Sequence, residues 1–180
     1  MSTTPPSKGA STDAGNDSRR GRESQVIRHA TQDDVAVLTE MINEAFEVER
    51  FFLGGDRISP EEVWRRLERG TFLLLEQDRI PLGCVYAELR EDSGFIGLLA
   101  VTPERQKSGL SRVLMDAAEE YFRANQCTQA ELRVVNLRGE LPPYYRHLGY
   151  EETGTESLPA EISVMMACHL IVMRKFLRFE

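Results

Sequence analysis

"FIGLLAVTPERQKSGLSRVL", residues 95–114, joins an apolar run to the start of a helical pattern. Phe95 to Val101 suits a buried strand. Pro103 cannot donate to a ladder and ends that strand. Leu110, Val113, Leu114, Ala117, Ala118, Tyr121 and Phe122 then recur at helical spacing and make one apolar face. Between them lies RQKSGLS, Arg105 to Ser111. This junction reads in two ways. It is either an ordinary helix cap, or a cradle in which the free N–H groups of a helix start hold an anion. Gly109 permits close backbone approach and Ser111 leaves room beside it. The segment carries neither G-x-G-x-x-G nor G-x-x-x-x-G-K-[ST], so neither a Rossmann nor a P-loop site is signalled.

Working outward, the chain has 180 residues, enough for one domain plus a tail. A net charge of −7 speaks against nucleic acid as the main ligand. Cys84, Cys127 and Cys168 are far apart and odd in number, which fits a reducing cytoplasm better than a disulfide framework. His29, His147 and His169 have no metal-ligand spacing, and no metal is expected. No apolar run approaches the ~18 residues of a membrane span. No secretory signal is read at the N-terminus, and no membrane partner is expected. Residues 1–24 are rich in Ser, Thr, Pro and Gly and are expected to be a disordered tail, leaving 25–180 as the domain.

The domain opens with a short strand, SQVIRHA. Thr31 caps a helix with Val35, Leu38, Met41, Ile42, Ala45 and Phe46 on its apolar face. Ser59, as cap, with Pro60 at the first position opens a second helix that Gly70 ends. TFLLLEQ, LGCVYAELRE and FIGLLAV, with turns at DRIP and EDSG, predict an antiparallel meander. After the long helix, QAELRVV alternates as a strand, so strand, helix and strand form a right-handed βαβ unit. LPPYYRHLGY predicts a short helix closed by Gly149. YEETGTE and VMMACHLIVMRKFL predict the last two strands. The fold class is therefore mixed α/β, with the order β-α-α-β-β-β-α-β-α-β-β.

That order, with this junction after the fourth strand, resembles the GNAT superfamily of N-acetyltransferases. The family's Arg/Gln-x-x-Gly-x-Gly/Ala signature is matched by Gln106-Lys107-Ser108-Gly109-Leu110-Ser111, with Ser111 in place of the last small residue. A second match is YYRHLGYEETG, Tyr144 to Gly154, which resembles the family's LYEKLGFEETG segment. The resemblance covers residues 25–178. It implies a mostly antiparallel sheet with helices on both faces, splayed between the fourth and fifth strands, and acetyl-CoA as co-substrate.

Residue by residue, it implies that backbone groups of Leu99, Ala100 and Val101 bind the pantetheine arm. Backbone N–H groups of Gln106, Lys107, Ser108, Gly109, Leu110 and Ser111 hold the pyrophosphate, Asn136 touches the pantetheine, and Tyr145 protonates the leaving thiolate. Asn136 and Tyr145 stand farther apart than in many members, with Pro142-Pro143 between them. A general base is also required, because a neutral amine must attack. Glu47, Glu49, Glu88 and Glu131 are the candidates, with Glu88 ranked first, and water can also serve. EVERFFLGGDRIS is expected to shape the acceptor site, for a small-molecule, peptide or protein amine. A homodimer is compatible with these features. The rival reading is an acyl-CoA-binding module of the same fold without turnover.

Overall fold

The computed structural model describes residues 25–160 and 162–178. The expected tail, 1–24, lies outside them. Seven strands form one sheet: β1 (Gln25–His29), β2 (Thr71–Gln77), β3 (Ile80–Arg90), β4 (Ser93–Val101), β5 (Gln129–Val135), β6 (Glu151–Ser157) and β7 (His169–Phe176). The helices are α1 (Val35–Ala45), α2 (Pro60–Arg69), α3 (Leu110–Ala124) and α4 (Leu141–His147). The spatial order is β1-β2-β3-β4-β5-β7-β6. All neighbours pair antiparallel except β4 and β5, which are parallel. The expected element order and sheet are present in full.

The local causes are legible. Asp78 and Arg79, with φ of 53° and 66°, make a two-residue hairpin whose twist suits the β2 and β3 strands. Ser59 and Glu62 form a reciprocal capping box on α2. Thr31 does cap, but its first turn is a 3-10 turn over Gln32–Asp34 before α1 begins. Gly70 ends α2 for a reason other than left-handed backbone: its φ is −156°. A Cβ there would lie 2.6 Å from the Ala87 carbonyl oxygen and 2.8 Å from the Tyr86 hydroxyl. The strand expected from Val164 begins only at His169. Residues 164–166 are drawn instead to the loop after α1, where the Met165 N–H donates to the Phe52 carbonyl (2.8 Å) and Val164 bridges Leu53.

The sheet separates two cores. Leu38, Met41, Ile42 and Val63 of α1 and α2 pack against Phe72, Leu74, Cys84 and Tyr86 on one face. Leu110, Leu114, Met115, Ala118 and Phe122 of α3 pack against Leu73, Val85, Ile96, Leu132 and Met173 on the other. Val113, expected in that face, is 40% exposed, while Met115 takes a buried place instead. Buried carboxylates are matched by cations. Asp34 accepts from both Arg28 guanidinium nitrogens (2.8 and 2.7 Å) and from the Thr31 N–H (2.7 Å). Glu119 accepts from Lys175, Arg123 and the Tyr150 hydroxyl.

The register of β4 shifts at one point. Cys84 pairs with Ala100 and Tyr86 with Gly97, so Leu98 and Leu99 together face the single residue Val85. Leu98 has a φ of 47°, a left-handed conformation that a leucine adopts only under constraint. This β-bulge inserts one residue and reverses the alternation of the strand. Ile96 belongs to the α3 core, but Leu98 and Ala100 fall in the α1 core and Val101 returns to the α3 side.

Two measurements check this packing. A Cβ on Gly94 would lie 2.2 Å from the buried Phe122 ring. Gly94→Ala should therefore cost about 1–3 kcal/mol, read as a lower melting temperature. The Arg28 hydrogen bonds, working against burial, hold Asp34 at a pKa of about 2. Because the folded pKa is depressed, this stabilisation is present above the unfolded value of ~3.9. It should be lost as the pH falls from about 4 to 2, and Asp34→Asn should flatten acid unfolding in that window.

Candidate active site

The parallel pairing of β4 and β5 covers only Ser93–Gln129, Gly94–Ala130, Phe95–Glu131 and Ile96–Leu132. Beyond Ile96 the strands no longer pair, and the bulge at Leu98 turns β4 just where it leaves its neighbour. Ala100 and Val101 therefore pair with β3 on one side, Leu99 lies in the bulge, and none of the three has a β5 partner on the other side. Unpaired backbone on an extended strand is a template for another extended chain.

The junction after β4 stands at the mouth of this opening. Gly109 is the N-cap of α3, with φ 86° and ψ −2°. Among the described residues no side chain caps the helix. The Ser108 hydroxyl turns back to donate to the Arg105 carbonyl. The helix ladder starts when the N–H groups of Arg112 and Val113 donate to the Gly109 carbonyl (3.1 and 3.3 Å). The amides of Gly109, Leu110 and Ser111 lie ahead of it. A Cβ on Gly109 would meet no atom within 4 Å. Of the two readings of RQKSGLS, the self-capped helix is the one this geometry disfavours. The Gln106 side chain donates to the Val101 carbonyl (3.4 Å), tying the loop to the end of β4. Lys107, at φ 62°, adds a second left-handed residue to the turn.

α4 carries Tyr144 and Tyr145, with ring centroids 5.2 Å apart, and both pack in the core that also takes Leu99 and Val101. Gly149 (φ 93°) turns the chain out of this helix into β6. Tyr145 is 8% exposed. Burial, with help from Tyr144, raises its hydroxyl above the ordinary phenol range, while the Arg138 cation opposes and the Glu49 carboxylate reinforces that shift. The phenol thus stays protonated through neutral pH. The Tyr144 hydroxyl is buried with no hydrogen-bond partner among the described residues.

Asn136 follows β5 and exchanges two bonds with the first residue of β7: its N–H donates to the His169 carbonyl (3.0 Å), and its Oδ1 accepts from the His169 N–H (2.9 Å). Its carboxamide oxygen is thus engaged in fixing the β5–β7 edge, and Nδ2 is the atom left to offer a ligand.

Glu88 stands apart from this group. It pairs with Phe95, within the segment where β4 and β5 are still joined. Its two oxygens accept from the Tyr86 hydroxyl (2.8 Å) and from Arg90 (2.8 Å), with Arg69 at 3.4 Å. Burial opposes ionisation, but Arg90, Tyr86 and Arg69 outweigh it and hold the carboxyl below its usual range. A carboxylate so engaged is a poor proton acceptor, so the geometry removes the reason for ranking it first. Glu131 lies between Arg133 (2.8 Å) and Arg174 (2.7 Å). Glu47 is exposed and pairs with Arg50 (2.9 Å).

The loop after α1 is locked in place. Asn43 exchanges two hydrogen bonds with the Ile58 backbone (2.9 and 3.0 Å). Phe52 is buried and anchors the loop, while Phe51 stacks edge-on against it at 4.9 Å and stays exposed. Glu49 ends a 3-10 turn on this loop and bonds Arg138 (2.8 Å), on the loop before α4. These two residues are 89 positions apart. Nothing in the local sequence of either one signals the pair; it exists only because α1 and β5 end beside the same opening.

Comparison with known proteins agrees with this geometry. Residues 26–170 match the family described as acetyltransferase (GNAT) domain. The ribosomal-protein-S18-alanine N-acetyltransferase of Escherichia coli is similar in fold, with a TM-score of 0.70 at 15% identity over 87% of this chain and 96% of that one. The ribosomal-protein-alanine N-acetyltransferase of Brucella melitensis aligns with a TM-score of 0.67 at 20% identity, covering 84% of this chain and 99% of its own. YncA of Salmonella typhimurium, solved with acetyl-CoA, aligns with a TM-score of 0.67 at 19% identity, covering 87% and 96%. Among the described residues no helix is long and apolar enough to cross a membrane.

Proposed function

Because the chain belongs to the acetyltransferase (GNAT) family, we propose that it moves an acetyl group from acetyl-CoA to an amine by direct attack, without a covalent enzyme intermediate. The observation that carries this reading is the opened edge of β4 next to the uncapped start of α3. An extended pantetheine arm needs backbone partners, and a pyrophosphate needs N–H donors with positive potential behind them. Both are available within one continuous stretch, Leu99 to Ser111. The acetyl-CoA bound to YncA and the amine acceptors in the names of the two ribosomal-protein acetyltransferases support the same choice of donor and acceptor, at the level of fold.

In this reading, backbone groups of Leu99, Ala100 and Val101 pair with the arm as an added strand would. The amides from Gln106 to Ser111 hold the pyrophosphate, aided by the positive end of α3. A backbone N–H near Val101 polarises the thioester carbonyl. The amine nitrogen attacks that carbon, the C–N bond forms, and the C–S bond breaks. Tyr145 supplies a proton to the departing sulfur. Asn136 contributes through Nδ2 alone.

Two substitutions test the reading. Gly109→Val puts a β-branched side chain into the open space where the phosphates would approach, on a backbone that disfavours it. Coenzyme A affinity should fall at least about tenfold with the protein still folded, and an unchanged affinity by calorimetry would return the junction to a plain helix start. Tyr145→Phe should lower kcat about a hundredfold, at the low end of general acid catalysis, because a thiolate leaves fairly well unaided. Coenzyme A affinity and melting temperature should stay close to wild type. Turnover within about threefold, or about 0.65 kcal/mol of barrier, would pass the role to water or to Tyr144.

A further inference from the structure

The described residues include four strongly buried carboxylates: Asp34, Glu49, Glu88 and Glu119. Three have both oxygens hydrogen-bonded. Asp34 is closed by Arg28 and Thr31, Glu88 by Tyr86 and Arg90, and Glu119 by Tyr150, Lys175 and Arg123. Glu49 differs. It is only 4% exposed, and Arg138 holds its Oε1 at 2.8 Å. Its Oε2 has no hydrogen bond among the described residues; the nearest cation is Arg57 at 3.8 Å. Of these four carboxylates, Glu49 alone keeps an oxygen free to take a ligand N–H.

Its position gives that vacancy a meaning. Glu49 sits on the loop after α1 and is tied through Arg138 to the segment that leads into α4, the helix of Tyr144 and Tyr145. Next to Tyr145, the Tyr144 hydroxyl is buried with no hydrogen-bond partner among the described residues. An open carboxylate oxygen and an unpartnered hydroxyl thus lie on two segments that the Glu49–Arg138 pair joins.

We propose that Glu49 is the proton acceptor for the attacking amine, with Oε2 receiving an amine N–H and Arg138 orienting the carboxylate. The assignment rests on the acetyltransfer reading above. As the nitrogen bonds to the carbonyl carbon and the C–S bond breaks, the surplus proton on nitrogen passes to Glu49. Tyr145 gives its proton to the sulfur. Solvent then takes the proton from Glu49 and restores the one on Tyr145, so no net charge accumulates on the protein. The groups facing Glu49 are Arg57 from the loop before α2, Arg138 and Glu140 from the segment before α4, and Tyr145 from α4. Burial outweighs the two arginines and raises the carboxyl above its usual range, toward the pH at which a base is most effective.

The experiment compares wild type, Glu49→Gln and Glu49→Asp with acetyl-CoA and three probes: an arylalkylamine, a polyamine and a short peptide with a free N-terminus. In wild type, log kcat/KM should rise with pH through two ionisations, that of the amine and one above the ordinary carboxylate range. Glu49→Gln should lose the second ionisation and about a hundredfold in kcat, with coenzyme A affinity within twofold of wild type. Glu49→Asp should keep the two-ionisation profile and recover part of the rate. A merely structural ion pair would lower the melting temperature and leave the shape of the profile alone, and that result overturns the assignment. So does turnover by Glu49→Gln within threefold of wild type. If Glu49→Gln fails to fold, the wild-type profile decides, and a single ionisation, that of the amine, overturns it. A wild type that binds acetyl-CoA but acetylates no probe overturns the acetyltransfer reading and this assignment with it.

Discussion

Four residue pairs hold the two halves of the sheet together. On one side lie β1 to β4, on the other β5, β7 and β6, and among the described residues the parallel contact from Ser93–Gln129 to Ile96–Leu132 is the only ladder between them. Past it the strands separate, and every later feature follows from that limit. Backbone groups that a continuing ladder would satisfy are left for a ligand. The bulge at Leu98 makes the separation possible: it turns β4 away and reverses which side chains face which core. A leucine held in left-handed backbone costs energy, and the cores on both faces supply the constraint that keeps it there.

The same limit organises the charges. Where the sheet is closed, buried acids are neutralised on both oxygens and serve packing. Glu119 ties α3 to β7 through Lys175, and Asp34 ties the turn before α1 to Arg28 of β1. Where the sheet is open, Glu49 and Arg138 bridge the loop after α1 to the segment before α4, and among the described residues one Glu49 oxygen has no hydrogen bond. The proposed site lies where ladder pairing stops.

Much of this fold is legible from residue patterns alone. TFLLLEQ and QAELRVV are strands with the bounds read from their apolar content and, for the second, its alternation; Ser59 caps its helix as expected, and Gly149 closes the short helix as expected. These are local effects, decided by side-chain period, by caps and by the freedom of glycine. Pattern and structure part where a partner elsewhere in the fold intervenes. Val164 to Cys168 has the apolar content of a strand, but Phe52 and Leu53 compete for its backbone. Val113 fits the helical period, but Met115 takes the buried place.

The candidate site divides in the same way. Residue type at fixed spacing determined the Gln106–Ser111 junction and put Tyr145 on a short helix, while the splayed sheet was what the GNAT resemblance implied. The tertiary structure decided which carboxylate has an oxygen to spare. Glu88 and Glu49 are alike as residues in a string, and only the fold surrounds one with Tyr86, Arg90 and Arg69 and brings Arg138, 89 residues away, to one oxygen of the other. Proton affinity is set by burial and by neighbours in space, and neighbours in space are what a sequence does not state.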